Sequence, residues 1–407
     1  MKKSNQKSHI LKPKKISFKD MDKVLFFSTI ILIVIGILSI VSASSRETVA
    51  RYNYSVYHYF YQHMFMITVG LILGGVILLL DTKFYKILGP VAWLTVFGLL
   101  VGMFVYGAVK RGSLRWIELF GFRFQPSEFA KLIIIIMIAI AFDLLNKRVK
   151  RDEFNKWTYT GIWLVLGIIM PVIVFLQGDL GTALIMALIA GVMYLSGPLD
   201  KKKRNSCIGT LILLFISAMG ILYMTRGYIL SDVQKQRITD FYNPCSKYEE
   251  YGFQMCNGLI AINDGGVFGV GIGKSKQKYS YIPDPHTDSI FAIIVEEGGL
   301  VMGVVILILY FIIIQRILKI SSSSSTERGK YIAFGVAVYA FAHIMANLGG
   351  LLAIMPLTGV PLPLISYGGS FTITFLCSLA MVQRIGMEEK YRKRQLELKK
   401  EMEMKKN

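Results

Sequence analysis

Blocks of about 20 consecutive apolar residues recur along this chain, and they constrain its fold more than any other feature of the sequence. A helix of about 20 residues is long enough to cross the hydrocarbon core of a bilayer. Hydrophobic residues make up 54% of the 407 residues, and the mean hydropathy of +0.51 is too high for an ordinary soluble domain. The sequence therefore predicts an all-α integral membrane protein.

Ten apolar segments predict ten transmembrane helices. They cover residues 24–41, 60–80, 85–108, 129–145, 159–176, 182–195, 207–224, 289–317, 331–355 and 365–385. The fourth and sixth segments are short for a crossing. We therefore expect their polar starts to lie at membrane depth, buried against protein.

Lysine and arginine are concentrated in alternate short loops and at both ends of the chain, and the formal net charge is +20. This arrangement is typical of loops that face an anionic inner leaflet, so we expect no nucleic-acid partner. We expect a cytoplasmic basic N-terminus over 1–23, a membrane domain over 24–385 and a cytoplasmic charged tail over 386–407. Residues 226–288 are expected to form one large extracellular loop between the seventh and eighth helices.

One loop assigned to the outside is nevertheless basic, because it contains Lys110, Arg111 and Arg115. A basic outer loop indicates a local task such as holding an anion. Arg115 is followed by Trp116, and an indole ring stacks on sugar faces while a guanidinium binds oxyanions. The alternative interpretation is an interfacial tryptophan anchor beside the capped start of a helix, which includes Glu128.

Several polar residues lie at or within the apolar segments, where facing lipid is unfavourable. A charged acid at depth costs about 2–3 kcal/mol, so we expect Asp179 to cap the following helix or to turn into the bundle. Glu296 and Glu297 are expected to form interhelical hydrogen bonds. The same expectation applies to His343 and Asn347, which share one face of the ninth helix at i, i+4 spacing.

Residues 265–274 form a glycine-rich run whose GxGxG pattern is also found in dinucleotide sites. No strand precedes this run and no βαβ unit surrounds it, so a dinucleotide site is not expected. The glycines instead allow the backbone to approach a ligand closely. Gln254 precedes the run, and Lys274 and Lys276 add positive charge beside it.

The turn before the eighth predicted helix carries two acids and a histidine. Pro283 and Pro285 restrict the backbone, so Asp288 and His286 are expected on a rigid turn. Asp288 falls at the expected N-cap of the helix, where an ionised carboxylate is favourable. The residues alone leave two interpretations of Asp288 open: a helix cap, or a carboxylate that takes part in chemistry.

The four cysteines divide into two pairs by location. Cys207 and Cys377 lie at or within apolar segments, whereas Cys245 and Cys256 share one polar outer loop. An outer location permits a disulfide between the second pair, and the sequence leaves open whether it forms. No spacing of histidine and cysteine typical of a metal site is present, although a weak cation site made of carboxylates is not excluded.

Taken in order, these motifs resemble the SEDS family (shape, elongation, division and sporulation), whose members include FtsW, RodA and SpoVE. The resemblance lies in Arg-Trp-Ile at 115–117, Gln-Pro-Ser-Glu at 125–128, Gln-Gly-Asp-Leu-Gly-Thr at 177–182, Gly-Gly at 265–266, Gly-Val-Gly at 269–271, Pro-Asp-Pro-His-Thr-Asp at 283–288, Glu-Glu-Gly at 296–298 and Leu-Pro-Leu-Ile-Ser-Tyr-Gly-Gly-Ser at 362–370. It spans essentially the whole membrane region. The sequence departs from the family pattern at Gly178, where proline is more frequent, at Asp284, where glutamate is common, and at Ser289, where phenylalanine is usual.

The resemblance implies a ten-helix peptidoglycan glycosyltransferase that polymerises lipid II by inverting transfer, with release of undecaprenyl diphosphate. The run at 269–278 is more similar to the division member FtsW than to the elongation member RodA. This implies a role in cell division, in the bacterial cell membrane at the division septum. The implied partners are a class B penicillin-binding protein and other divisome membrane proteins.

The resemblance also implies roles for individual residues. The catalytic acid of the family corresponds to Asp288, which is expected to act as general base. The candidates for substrate binding are Arg115, Trp116, Gln254, Lys274, Lys276, His286 and Ser366. A divalent cation, Mg²⁺ or Mn²⁺, is expected to assist at an undefined site, and no organic cofactor is expected. The competing functions are a lipid II transporter and a non-catalytic scaffold for cell-wall enzymes.

Overall fold

The computed structural model describes residues 17–404, apart from 53–54, 56, 107, 111–112, 120–121, 151–154, 227–240, 243, 246–249, 280–281 and 283. Its helices are α1 (Lys23–Tyr52), α2 (His58–Leu79), α3 (Tyr85–Tyr106), α4 (Pro126–Lys150), α5 (Lys156–Leu176), α6 (Leu180–Ser196), α7 (Lys201–Arg226), α8 (Glu250–Gly265), α9 (Ile290–Ser323), α10 (Glu327–Leu351) and α11 (Gly369–Met404). Helix α5 contains a π-helical turn at Leu164–Ile168.

Each predicted apolar segment coincides with one helix, and α8 lies within the predicted outer loop. Within the described ranges, seven helices are long and apolar enough to cross a membrane: α1, α2, α3, α5, α9, α10 and α11. The chain is therefore a helical, multi-pass membrane protein. The count of ten crossings and the assignment of sides stay predictions.

Most helices begin a few residues before the apolar segment that predicted them, and the largest difference is at α7, which begins at Lys201 and not at residue 207. Helix α4 begins at Pro126, a position that suits the first helical turn, and its 25 residues are not short for a crossing. The last helix begins at Gly369 and not at residue 365, because Ile365 and Ser366 belong to a turn in which both N–H groups bond to the Leu362 carbonyl. It then runs unbroken to Met404, so the charged tail continues the last apolar helix.

The prediction of a purely α fold is also wrong in one loop. Between α3 and α4 the chain forms an antiparallel three-stranded sheet, with strands β1 (Ala108–Lys110), β2 (Ser113–Leu119) and β3 (Phe122–Phe124). Ala108 pairs with Trp116, and Ile117 pairs with Phe124. Apolar and polar residues alternate in β3 and in each half of β2, the pattern of a half-buried strand, and the alternation is interrupted at Trp116 and Ile117.

The centre of the bundle is formed by α10 and the apolar part of α11, which are largely buried, whereas α1, α2, α3 and α9 leave apolar faces exposed. Helix α2 packs closely on α11 because Gly70 lacks a side chain. A Cβ at Gly70 would lie 2.7 Å from the Leu376 side chain. Small residues at such contacts let helix backbones approach in a membrane.

The two described ends of the chain meet at one end of the bundle. Arg316 on α9 donates to the Asp22 carboxylate, with its Nε 3.1 Å from each oxygen. The Gln383 side chain accepts from the Asp22 N–H at 2.8 Å and donates to the Asp22 carbonyl at 3.0 Å. Arg394 pairs with Asp20 at 2.6 Å. Asp22 therefore joins the start of the chain to α9 and α11.

Candidate functional site

Asp288 lies in the turn Asp284–Ser289, which leads from the outer loop into α9. Asp284 has φ +46°, and its carbonyl accepts from the Thr287 N–H at 3.0 Å and from Thr287 Oγ1 at 2.7 Å. The N-cap residue of α9 is Ser289, so the prediction that Asp288 caps this helix is wrong. The Asp288 side chain is left for other contacts.

The two side-chain contacts of the Asp288 carboxylate both fall on one of its oxygens. Gln254 Nε2 on α8 donates to Asp288 Oδ1 at 2.9 Å, and Thr287 Oγ1 lies 3.1 Å from the same oxygen, so its one proton is shared between this oxygen and the Asp284 carbonyl. The same Gln254 nitrogen lies 2.9 Å from Ser289 Oγ. The second oxygen, Oδ2, faces Gly359, where an added Cβ would lie 3.8 Å away. The absence of a side chain at Gly359 therefore keeps space open beside Oδ2.

The surroundings of Asp288 shift its proton affinity upward. Burial is the largest cause and raises the pKa of this carboxyl, and the nearby Asp284 charge raises it further. The hydrogen bonds from Thr287 and Gln254 stabilise the ionised form and offset part of this shift. A carboxylate with a raised pKa accepts a proton more readily than an exposed aspartate, which suits a general base.

Asn347 on α10 fixes the backbone of the Asp288 turn. Its Nδ2 donates to the carbonyl oxygens of Asp288 and Val360, at 2.8 Å in each case. Val360 belongs to the bent segment between α10 and α11, so one buried amide joins this segment to the Asp288 turn. The sequence analysis expected an interhelical hydrogen bond from Asn347 and did not identify this link to Asp288.

The motifs around Arg115 and Asp179 meet each other and the start of α11. Arg115 Nε lies 3.6 Å from Asp179 Oδ2, and Gln125 Nε2 donates to the same oxygen at 3.3 Å. Asp179 Oδ1 accepts from the Thr182 N–H at 3.2 Å and so caps α6. The Gln125 N–H donates to Ser370 Oγ at 3.0 Å. Like the Asp288 turn, these motifs therefore lie at the end of the bundle opposite the chain ends.

A buried polar network lies between α4 and α10. Lys131 Nζ is 2.8 Å from Glu128 Oε1 and 2.9 Å from His343 Nε2. All three side chains are buried, and the His343 ring stacks on Phe371 with centroids 4.4 Å apart. The Lys131 cation neutralises Glu128 at depth, where an unpaired charge would be costly.

Glu296 and Glu297 near the start of α9 hold the glycine-rich run in place. Glu296 Oε2 accepts from Ser275 Oγ at 2.5 Å, and its Oε1 accepts from the Lys276 N–H at 2.7 Å. Glu297 Oε1 accepts from Lys278 Nζ at 2.7 Å, and both groups are buried. Lys274 and Lys276 keep their side chains exposed. Glu296 thus bonds to the chain after the glycine-rich run and not to another membrane helix as predicted, and Lys278 was not predicted as the partner of Glu297.

His286 and Ser366 are enclosed by protein. The His286 ring packs on Tyr59 with centroids 4.1 Å apart, and its carbonyl accepts from the Tyr367 N–H at 2.9 Å. Ser366 Oγ accepts from the Leu362 N–H at 2.8 Å and closes a turn. Both side chains are at most 2% exposed. A direct contact of either residue with substrate stays a prediction.

The remaining predicted residues lie on the sheet and in the predicted outer loop. Trp116 lies on β2 beside Arg115 and is partly exposed. Cys245 forms a disulfide with Cys256 on α8, with Cα atoms 5.2 Å apart. This bond ties the helix that carries Gln254 to the preceding loop, while Cys207 and Cys377 are free and buried.

A metal site composed of protein ligands alone does not fit the described residues, among which no three His, Cys, Asp or Glu side chains come together. Mg²⁺ is often held by one or two carboxylates together with substrate phosphates. Asp288 and the neighbouring Asp284 are the acids nearest the open space beside Oδ2.

A family model described as a cell cycle protein, named for FtsW, RodA and SpoVE, matches residues 22–391. The probable peptidoglycan glycosyltransferase FtsW of Bacillus subtilis (strain 168) is 32% identical over 384 residues, covering 92% of each chain. The peptidoglycan glycosyltransferase MrdB of Escherichia coli (strain K12) is 32% identical over 327 residues, covering 80% of this chain and 84% of MrdB.

Two solved structures share the fold. A chain from a peptidoglycan synthase complex that coordinates polymerization and crosslinking superposes with a TM-score of 0.70 at 23% identity, covering 91% of this chain and 98% of its own. The rod shape determining protein RodA of Thermus thermophilus superposes with a TM-score of 0.62 at 23% identity, covering 90% of this chain and 96% of its own.

Proposed function

This chain belongs to the FtsW, RodA and SpoVE family of cell cycle proteins, and on that premise we propose how it polymerises lipid II into glycan strands. Relatives named as peptidoglycan glycosyltransferases match most of its length at 30–32% identity. The observation that carries the mechanism is the Asp288 carboxylate, with both side-chain contacts on Oδ1, at the end of the bundle where the polar motifs meet.

In the proposed reaction, the 4-hydroxyl of a lipid II sugar attacks the anomeric carbon of the growing glycan. The new C–O bond forms as the bond from that carbon to the diphosphate breaks, and undecaprenyl diphosphate leaves with the electron pair. Asp288 accepts the hydroxyl proton on Oδ2. Direct displacement inverts the anomeric centre from α to β. One carboxylate suffices because a diphosphate leaves without protonation when cations stabilise it.

Cations for the diphosphates are available from two sides of the site. Lys274 and Lys276 are exposed beside the glycine-rich run, and Arg115 is about one quarter exposed while it pairs with Asp179. A guanidinium grips phosphate oxygens through several N–H groups, whereas a lysine acts as a point charge. Trp116 lies next to Arg115 and offers a ring for a sugar face. A divalent cation, if used, would neutralise further diphosphate charge and would be held largely by the substrate.

The biological setting is proposed from the pattern of relatives. The match to FtsW of B. subtilis over 92% of each chain supports a division role at the septum. The fold shared with a chain of a peptidoglycan synthase complex supports a class B penicillin-binding protein as partner, with other divisome membrane proteins nearby. Such a partner would crosslink the strands that this chain polymerises.

Gel analysis of glycan products from purified protein and lipid II tests the proposal, with and without a cognate class B penicillin-binding protein and a divalent cation. Wild type is expected to form polymer, and Asp288→Asn is expected to lose it while it remains folded and partner-bound. Polymer made by Asp288→Asn would remove Asp288 from the role of base. Wild-type protein that binds its partner but makes no polymer under any condition would contradict the proposal. A lipid II translocation assay would then test the competing transporter function.

A further inference from the structure

The glycine-rich run fills a break in α9. Gly299 has φ +73°, so the helix cannot form its regular hydrogen bonds across this position. Residues 266–273, which we call the inserted loop, supply the missing partners. Four backbone bonds cross between the segments: Val270 N to Glu296 O at 2.9 Å, Gly271 N to Glu297 O at 3.0 Å, Leu300 N to Gly266 O at 2.9 Å and Val301 N to Val267 O at 3.2 Å.

The inserted loop exposes large apolar side chains. Phe268 is 84% exposed and Ile272 is 88% exposed, and Val267 between them and α8 is 56% exposed. Large apolar side chains exposed to water on a fixed loop are unfavourable, because burial of apolar surface stabilises a protein. The backbone bonds to α9 fix the loop, so these side chains are not free to fold back. Their exposure therefore indicates a surface that is covered in the membrane-bound protein.

The depth of the loop follows from the burial pattern of α9. Residues Ile290–Glu297 are all buried against protein, whereas from Leu300 onward α9 exposes an apolar face that includes Val304, Ile308 and Phe311. The stretch 300–317 is about 27 Å long as a helix, close to the thickness of a hydrocarbon core. The lipid-facing part of α9 thus begins at Leu300, where the inserted loop is attached.

We propose that the inserted loop dips into the outer leaflet of the bilayer, with Phe268 and Ile272 among the lipid acyl chains near the headgroups. The apolar surface of the loop is continuous with the lipid-facing side of α9, because Leu300 and Val301 bond directly to the loop backbone. Lys274 follows at once and is exposed, as is Lys276. Cations at this height pair with lipid phosphates while their stems lie along apolar surface.

Lipid-specific quenching tests this placement. Phe268→Cys and Ile272→Cys are labelled with an environment-sensitive fluorophore in the full chain, reconstituted in vesicles of phosphatidylcholine and phosphatidylglycerol. Both positions are exposed, so the variants are expected to unfold at the wild-type temperature. The emission is expected to shift to the blue and to lose intensity when lipids with a doxyl group on the acyl chain are included.

The matched control is Asp264→Cys, an exposed polar position on α8 two residues before the loop. Its label is expected to respond to aqueous iodide and to lose less intensity with doxyl lipids. Wild-type protein taken through the same labelling reaction shows how much fluorophore reacts with the native thiols. Equal iodide quenching at all three positions would overturn the proposal. A blue shift without doxyl quenching, or one that requires a penicillin-binding protein, would also overturn it, because protein would then cover the loop.

Discussion

At the scale of single residues, Asp288 differs from its acidic neighbours in how much of its carboxylate is engaged. Glu296 and Glu297 each accept hydrogen bonds on both oxygens and serve as fixed anchors. At Asp288 the side-chain donors Gln254 and Thr287 both bind Oδ1. The carboxylate is thereby oriented while Oδ2 faces the space beside Gly359, the arrangement that a general base requires.

Gln254 is expected to act as a positioning residue and not as a direct substrate ligand. Gln254→Ala removes the α8 donor from Asp288 Oδ1, and we expect kcat to fall by about 10–100-fold with little change in KM. The lost hydrogen bond favoured the ionised form, so the pKa of Asp288 should rise further. The acid limb of the pH–rate profile should therefore shift to higher pH. Gln254→Glu, with the same shape but an added charge, is the matched comparison.

A purely structural role for Gln254 would leave that acid limb in place. In that case polymerisation would fall only in proportion to the folded fraction, which thermal unfolding measures independently. Steady-state rates as a function of pH for wild type and Gln254→Ala therefore separate the two roles.

The raised pKa of Asp288 has a consequence for stability as well as for rate. A carboxyl with a raised folded-state pKa contributes stability below its unfolded pKa of about 3.9, and that contribution is lost as pH rises through the folded pKa. At neutral pH the ionised side chain therefore destabilises the fold. We expect Asp288→Asn to unfold at the wild-type temperature or above it at pH 7, measured by thermal unfolding in detergent.

The same variant should lose this advantage at low pH, where Asp288 of wild type is protonated. A melting temperature of Asp288→Asn well below that of wild type at pH 7 would contradict the direction of the pKa shift. The activity of wild type should fall on the acid side at a pH above that of an ordinary aspartate.

At the scale of elements, the junction of α9 with the inserted loop depends on close backbone approach. Gly269 has φ +80°, and a Cβ there would lie 2.2 Å from the Glu297 carbonyl oxygen. Gly273 has nearly the same φ, +81°, but a Cβ there would meet no atom within 4 Å. The two glycines thus share a backbone conformation and differ in their surroundings.

This pair gives a matched prediction. Gly273→Ala should cost only the left-handed backbone conformation of an alanine, about 1–2 kcal/mol. Gly269→Ala carries the same cost and must also push the loop away from α9, so its melting temperature should be clearly lower. Thermal unfolding of both variants in one detergent measures the difference. Equal melting temperatures would show that the loop does not sit in the α9 break.

The sequence analysis predicted the elements better than the contacts between them. The apolar blocks located the long helices because a membrane demands length and hydropathy that can be read locally. The three-stranded sheet was missed because its strands have only 3–7 residues between two apolar segments. The insertion of 266–273 into α9 was missed because it depends on pairing across 30 residues of chain.

At the scale of the whole molecule, the chain separates two tasks at opposite ends of the bundle. One end joins the start of the chain to α9 and α11 through Asp22, Arg316 and Gln383. The other end gathers Asp288 with the motifs around Arg115 and Asp179. The residue contacts within it needed the structure.

The contact between the chain ends is expected to stabilise the whole bundle. Burial by itself raises the pKa of Asp22, but the Arg316 guanidinium and the Leu25 N–H outweigh it, and the pKa lies below its ordinary value. Arg316→Met leaves Asp22 buried without its cation and should cost about 1–3 kcal/mol. Thermal unfolding checks this, and the loss should shrink when Asp22→Asn is combined with it.

The pH dependence of this contact has the opposite sign to that of Asp288. A depressed folded-state pKa gives stability that is present above the unfolded pKa and is lost as pH falls through the folded pKa. Arg316→Met should therefore differ most from wild type at neutral pH and less under acid. Additive losses for Arg316→Met and Asp22→Asn would show that the two residues do not act as a pair.

The inserted loop and α9 pair through backbone hydrogen bonds, and this pairing limits where residues can be inserted into the chain or deleted from it. Loops at a protein surface generally tolerate added residues at small entropic cost. Here residues 266–271 and 296–301 pair in a fixed register, so one extra residue between Gly266 and Gly271 would leave backbone donors unmatched beside lipid. Tags, reporters and engineered insertions on this side of the protein therefore belong elsewhere, outside both segments.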